Sequence, residues 1–120
     1  MKFILLMYSK PAETKAMSTS DLEAVMRKHE ALRAELTASG ELINGAGLAY
    51  PESTTNVHWR DRAPAVFTEG PLVDGEEHMT AYYTFECADR DRALAIAERL
   101  LDSHVTTVEV REIHDSTGFP

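Results

Sequence analysis

Cysteine occurs once in the 120 residues, at Cys87. A single thiol excludes an internal disulfide and any multi-cysteine metal cage, and its place in the strand-like run TAYYTFECA marks it as a buried thiol. Basic side chains are scarce too. Twelve Lys and Arg against 20 Asp and Glu leave a net charge of −8. That field repels phosphate backbones, and no Lys/Arg stripe overcomes it locally, so nucleic acid is not an expected partner. Long apolar runs are also missing. Phe3 to Met7, in MKFILLMYSK, is shorter than a secretory h-region or a membrane span, and no small-residue cleavage site follows it. The expectation is a soluble, cytoplasmic protein with no membrane partner.

Hydrophobic residues make up 43% of the chain and charged ones 27%, enough for one core and an ordinary globular surface. With no internal repeat, linker or low-complexity tract, one domain is expected over residues 1–120. Phe3-Ile4-Leu5-Leu6-Met7-Tyr8 is a continuous apolar run, the pattern of a strand buried on both faces. A polar link containing Pro11 leads to the clearest helix. Ser18 and Ser20 are its N-cap candidates, Leu22, Val25, Met26, His29, Leu32 and Leu36 recur at helical spacing, and Gly40 supplies the stop.

Glycine and proline punctuate residues 41–79 into short extended pieces. Leu42-Ile43 opens a second strand. Thr55–Trp59 and Ala65–Thr68 read as a hairpin, and Thr80–Cys87 as a strand with Ala81, Tyr83, Phe85 and Cys87 on one face. Asp89 caps a second helix carrying Ala93, Ile96, Ala97, Leu100 and Leu101, and Val105–Ile113 forms the last strand. The tail DSTGFP is expected to be loose. Asn44-Gly45-Ala46-Gly47 lacks the third glycine and following helix of a dinucleotide site and reads as a turn.

The order β-α-β-(hairpin)-β-α-β gives an α+β, ferredoxin-like βαββαβ layer with an extra β-hairpin. Two helices cover only one face of a four-stranded sheet, yet the first strand has no polar face. A second copy of the same sheet is the simplest cover, which makes a homodimer the expected assembly.

The stretch Thr68-Glu69-Gly70-Pro71-Leu72, followed by Asp74, Glu77 and Tyr82-Tyr83, resembles the DGPF-motif branch of the YCII-related proteins. The likeness extends to KFILLMY, to SGELINGAGL and to VEVREI, and so covers nearly the whole chain. Glu69 replaces the motif's Asp and Leu72 its Phe. Gly75-Glu76 stands where Thr-Lys is expected, reversing the local charge, and Thr80-Ala81 where Gly-Gly is expected. The resemblance implies a dimeric α/β barrel, in a superfamily where some members are small-molecule isomerases, lyases or dehalogenating enzymes acting on cyclic compounds. It also implies a pairing, because in the wider YCII group a His on the first helix meets an Asp near the end of the second. His29 and Asp102 match those positions.

A His oriented by a carboxylate can act as a general base at neutral pH, whereas the plainer alternative is a His at the core edge bonded to a neighbour. Glu69, Asp74, Glu76, Glu77 and His78 offer oxygen and nitrogen donors but lack the order of a calcium loop. They read as a solvated acidic loop, with no metal and no cofactor expected, and Glu69 and His78 as pocket-rim candidates for ligand binding. Tyr82 points away from the face of Tyr83 and Phe85, into the barrel interior if those two lie under the helices. Tyr8 can do the same, so both join the ligand-binding candidates against the alternative of interface packing. Three classes of function follow. They are a small enzyme using His29 and Asp102, a non-catalytic binder of a small molecule, and an accessory homodimer.

Overall fold

A computed structural model describes residues 1–118. Its elements are β1 (Lys2–Ser9), α1 (Pro11–Ala16), α2 (Thr19–Ala38), β2 (Leu42–Gly47), β3 (Thr55–His58), β4 (Val66–Glu69), β5 (His78–Glu86), α3 (Arg90–Leu100) and β6 (Thr107–Glu112), with a 3-10 turn at Pro51–Ser53. Four strands form one antiparallel sheet in the order β2-β5-β1-β6. That order, with helices between β1 and β2 and between β5 and β6, is consistent with a ferredoxin-like fold. β3 and β4 pair only with each other, and their Val57 and Phe67 stay exposed.

The alternation of β1 decides the layering. Phe3, Leu5, Met7 and Ser9 are buried on one face, while Ile4, Leu6 and Tyr8 are half-buried on the other. The buried row meets Tyr83 and Phe85 of β5, Leu32 and Leu36 of α2, and Ala93, Ile96 and Leu100 of α3 in a single core. Cys87 is buried at its edge as a free thiol, and desolvation with the nearby Glu41 charge pushes its pKa up. The opposite face brings Leu6 beside Tyr82 and Glu109, and Ile4 beside Thr84 and Arg111.

Capping sets the helices. The Ser18 hydroxyl accepts the Asp21 N–H at 3.1 Å, and the Asp89 carboxylate accepts the Arg92 N–H at 2.9 Å. Gly40, at φ +80°, ends α2 in the left-handed conformation that glycine adopts without strain. Val25, His29, Leu32 and Leu36 form the buried stripe of α2.

Three sequence expectations need correction. The link around Pro11 is a helix, α1, too short to show an apolar period but carrying Pro11 at its start, Glu13 in its first turn and Lys15 in its last. Asn44-Gly45-Ala46-Gly47 is strand, not turn, because its backbone pairs with Thr84–Ala81 of β5. β6 starts at Thr107 and not Val105, since the Asp102 N–H donates to the Val105 carbonyl at 3.0 Å and closes a turn ahead of the strand. Within the tail, Phe119 and Pro120 lie outside the described residues. No helix among the described residues is long and apolar enough to cross a membrane.

Candidate functional site

A cavity of about 450 Å³ opens between α2, the ends of β1, β2 and β5, and the loop before β6. His29 and Arg33 reach it from α2, one turn apart, so helical geometry places both on the same side. Tyr83 comes from β5, Ser9 from β1, Gly45 from β2 and His104 from the loop.

His29 is 7% exposed, and its Nε2 lies 3.0 Å from Asp102 Oδ2. The other oxygen of Asp102 accepts the backbone N–H groups of His104 and Val105, each at 2.7 Å. Lys28 Nζ sits 3.3 Å from Oδ2 and donates to the Leu101 carbonyl at 2.6 Å. Burial would raise the Asp102 pKa, but the Val105 and His104 N–H groups and the Lys28 ammonium outweigh it and hold it below 3.8. Asp102 is therefore a carboxylate near neutral pH and only an acceptor, which makes His29 Nε2 the protonated nitrogen. For His29 burial is the larger effect. Desolvation lowers its pKa below 6.5 against the pull of Asp102, so the imidazole is neutral at pH 7.

These assignments leave Nδ1 with a lone pair. It has no partner among the described residues, and no buried side-chain nitrogen or oxygen among them lacks one, so Nδ1 keeps contact with solvent on a residue that lines the cavity. A neutral imidazole, oriented through one nitrogen by a carboxylate and open through the other, can accept a proton from a bound molecule.

Sequence reasoning missed the contact between Arg33 and Tyr83 in the cavity wall. Arg33 Nη1 donates to the Tyr83 hydroxyl at 3.0 Å, and the Tyr83 ring packs edge-on against Phe85 with centroids 5.9 Å apart. Thr80 donates to the Ser9 hydroxyl at 2.9 Å, and Thr14 Oγ1 lies 3.0 Å from His104 Nδ1. Arg33 was legible as the residue four after His29. Its neighbours Tyr83 and Gly45 were not, because pairing distant in sequence brings them there.

The remaining sequence candidates lie elsewhere. Tyr8 and Tyr82 are half-buried on the open face of the sheet, the Tyr8 hydroxyl 3.4 Å from Glu109. Burial, then Glu109, pushes the Tyr8 pKa up. Glu69 is exposed on β4 and accepts from the Thr55 hydroxyl at 3.1 Å. His78 lines a separate cavity of about 370 Å³ and bonds the Gly75 carbonyl at 2.8 Å. Glu77 is held by the Thr106 and Thr107 hydroxyls at 2.5 and 2.9 Å. Among the described residues no three His, Cys, Asp or Glu side chains gather as a metal-holding group.

An antiparallel α+β layer with a His–Asp pair at the wall of a small cavity defines the class. A family model described as the YCII-related domain matches residues 1–116, and the chain belongs to that family. It is similar to an uncharacterized protein of Rhizobium meliloti (strain 1021), 27% identical over 115 residues that span 94% of this chain and 92% of that protein.

Proposed function

We propose that the protein is a small enzyme of the isomerase or lyase type, in which His29 and Asp102 move a proton on a small molecule held in the cavity. One observation carries the reading: His29 lines the cavity, its ring is fixed from behind by Asp102 through Nε2, and its Nδ1 has no partner among the described residues. Nδ1 takes a proton from an acidic C–H, and the electron pair of that bond moves into an adjacent carbonyl. The proton then returns at another carbon, giving isomerisation. In the lyase case the pair instead expels a leaving group, and His29 passes its proton to water. Asp102 orients the ring and stabilises the imidazolium formed in between.

The reading places the chain in the DGPF-motif branch, on the likeness of Thr68–Leu72 and Tyr82-Tyr83, and makes it a homodimer built as an α/β barrel. The half-buried row Ile4, Leu6 and Tyr8 supports that assembly, since a second sheet would take it out of water. Tyr8 and Tyr82 then face the space between the sheets, and Glu69 and His78 belong to segments at its rim.

A second reading has its own support. The bonds of Asp102 to two backbone N–H groups and Lys28 already account for it as a loop brace. A non-catalytic binder needs nothing further. An accessory homodimer would use the hairpin region, where Trp59 is 83% exposed.

Carbon-bound hydrogen exchange separates these readings. A panel of small cyclic ketones and lactones in D2O, followed by proton NMR, is expected to show exchange with at least one compound. His29→Gln should slow it about a hundredfold or more. Exchange unchanged in His29→Gln, or absent across the panel, overturns the enzyme reading.

A further inference from the structure

The cavity carries a charge pattern that the proton-transfer reading does not use. Asp and Glu are 20 of the 120 residues, yet none of the residues lining the cavity is acidic, and Arg33 is its one permanently charged group. Asp102 lies behind His29, and its charge is met by Lys28.

Arg33 is half-buried and has no carboxylate partner among the described residues. Its one side-chain bond among the described residues, from Nη1 to the Tyr83 hydroxyl, uses a single donor of the five that a guanidinium offers. Tyr83 is itself fixed, with its ring over Gly45 and against Phe85. The other half-buried guanidinium among the described residues, Arg92, is neutralised, and so is the exposed Arg99. Arg92 forks onto Glu41 with two bonds of 2.8 Å, and Arg99 forks onto Glu35. The contrast singles out Arg33, which is positioned by a neutral phenol and left with its charge unanswered in an acid-free cavity.

We propose that Arg33 anchors the carboxylate of a small monocarboxylic acid. The apolar body of that ligand packs against Met7, Leu48, Tyr50 and Val105, which line the same cavity. A forked Arg–carboxylate contact fixes orientation as well as position. Since Arg33 follows His29 by one helical turn, with side-chain roots about 5–6 Å apart, a carboxylate on Arg33 brings carbons one or two bonds away towards Nδ1. The inference rests on the proposed proton-transfer site only for that last step, because anchoring needs the cavity and Arg33 alone.

The test uses the full-length protein and separates the two ideas. Benzoate, phenylacetate and 3-phenylpropanoate are titrated by calorimetry and amide-resolved NMR beside their uncharged primary amides and inorganic phosphate. At least one carboxylate is expected to bind about tenfold or more tighter than its amide and than phosphate. Arg33→Gln should reduce that preference to about twofold or less. His29→Gln should leave it intact, with shift changes in the wild type centred on α2, β5 and the loop before β6. Arg33→Met keeps the packing of the apolar stem, and it decides the matter if Arg33→Gln fails to fold. Carboxylates binding no better than amides, a preference that survives loss of Arg33, or phosphate binding as tightly as the best carboxylate would each overturn the proposal. Preference without any hydrogen exchange keeps the anchor and removes the catalytic reading.

Discussion

Gly45 lies directly under the ring of Tyr83. A side-chain carbon placed on it would meet Tyr83 Cε1 at 2.8 Å and the Tyr82 carbonyl oxygen at 2.7 Å, distances that real methyl groups do not sustain. The glycine is therefore a requirement of the Tyr83 position, and through the Tyr83 hydroxyl it sets where Arg33 is held. Gly45→Ala should push the ring off Phe85, loosen Arg33 and cost about 1–3 kcal/mol of stability. Urea denaturation measures the cost, and near-ultraviolet circular dichroism reports the ring. An unchanged midpoint would mean that the strand shifts to make room.

Asp102 joins α2 to the loop before β6 through His29, Lys28 and two backbone N–H groups. Asp102→Ala leaves those N–H groups without their acceptor and is expected to cost about 1–3 kcal/mol. Asp102→Asn can still accept both and should recover much of that loss, while its uncharged amide no longer stabilises an imidazolium. Equilibrium unfolding beside hydrogen exchange separates the two roles, since a pure brace would leave exchange in the asparagine variant at the wild-type rate.

The pH dependence of stability follows from the depressed pKa of His29. Between its folded and unfolded values the unfolded chain binds the extra proton, so His29 contributes its full share above 6.5 and loses it as the pH falls through the folded value. Asp102, held below 3.8, acts with the same sign at lower pH. Denaturation midpoints should therefore fall as the pH drops below about 6.5, and less steeply in His29→Gln. A midpoint that rises on acidification through this range would show that the attraction of Asp102 outweighs burial.

Leu6 sits at the centre of the open sheet face, beside Tyr82 and Glu109. Under the proposed homodimer, Leu6→Glu buries two like charges at the interface and should yield monomers in light scattering. A wild-type protein that is monomeric at micromolar concentration removes the dimer.

Much of this architecture was legible in the chain. The apolar run of β1, the alternation in β5, the Ser18 and Asp89 caps and the Gly40 stop are local signals, and local physics honours them, although β1 buries only one of its two apolar faces fully. α1 was lost because six residues are too few for a 3.6-residue period to register, although Pro11 marked its start. Gly45 and Gly47 read as a turn since glycine favours one in isolation, but the ring of Tyr83, 38 positions on, requires a residue without a side chain at Gly45. The proximity of His29 and Asp102 was expected only from family likeness. Nothing in the surrounding ERLLDSHV announces that Asp102 turns back to face a helix 73 residues earlier.

Lys28 gives the His–Asp pair an adjustable element. Its ammonium lowers the His29 pKa and favours the charged form of Asp102, yet it is partly exposed and belongs to neither the cavity wall nor the core. The His104 and Val105 N–H groups are held by Asp102 Oδ1 and not by Lys28, whereas the acidity of the imidazole answers also to this residue on the outer side. The hold of Asp102 on the loop backbone can therefore persist while the acidity changes. Exchanges at position 28 can retune the proton affinity of His29 across a lineage of such proteins while the loop, the helix and the cavity keep their form.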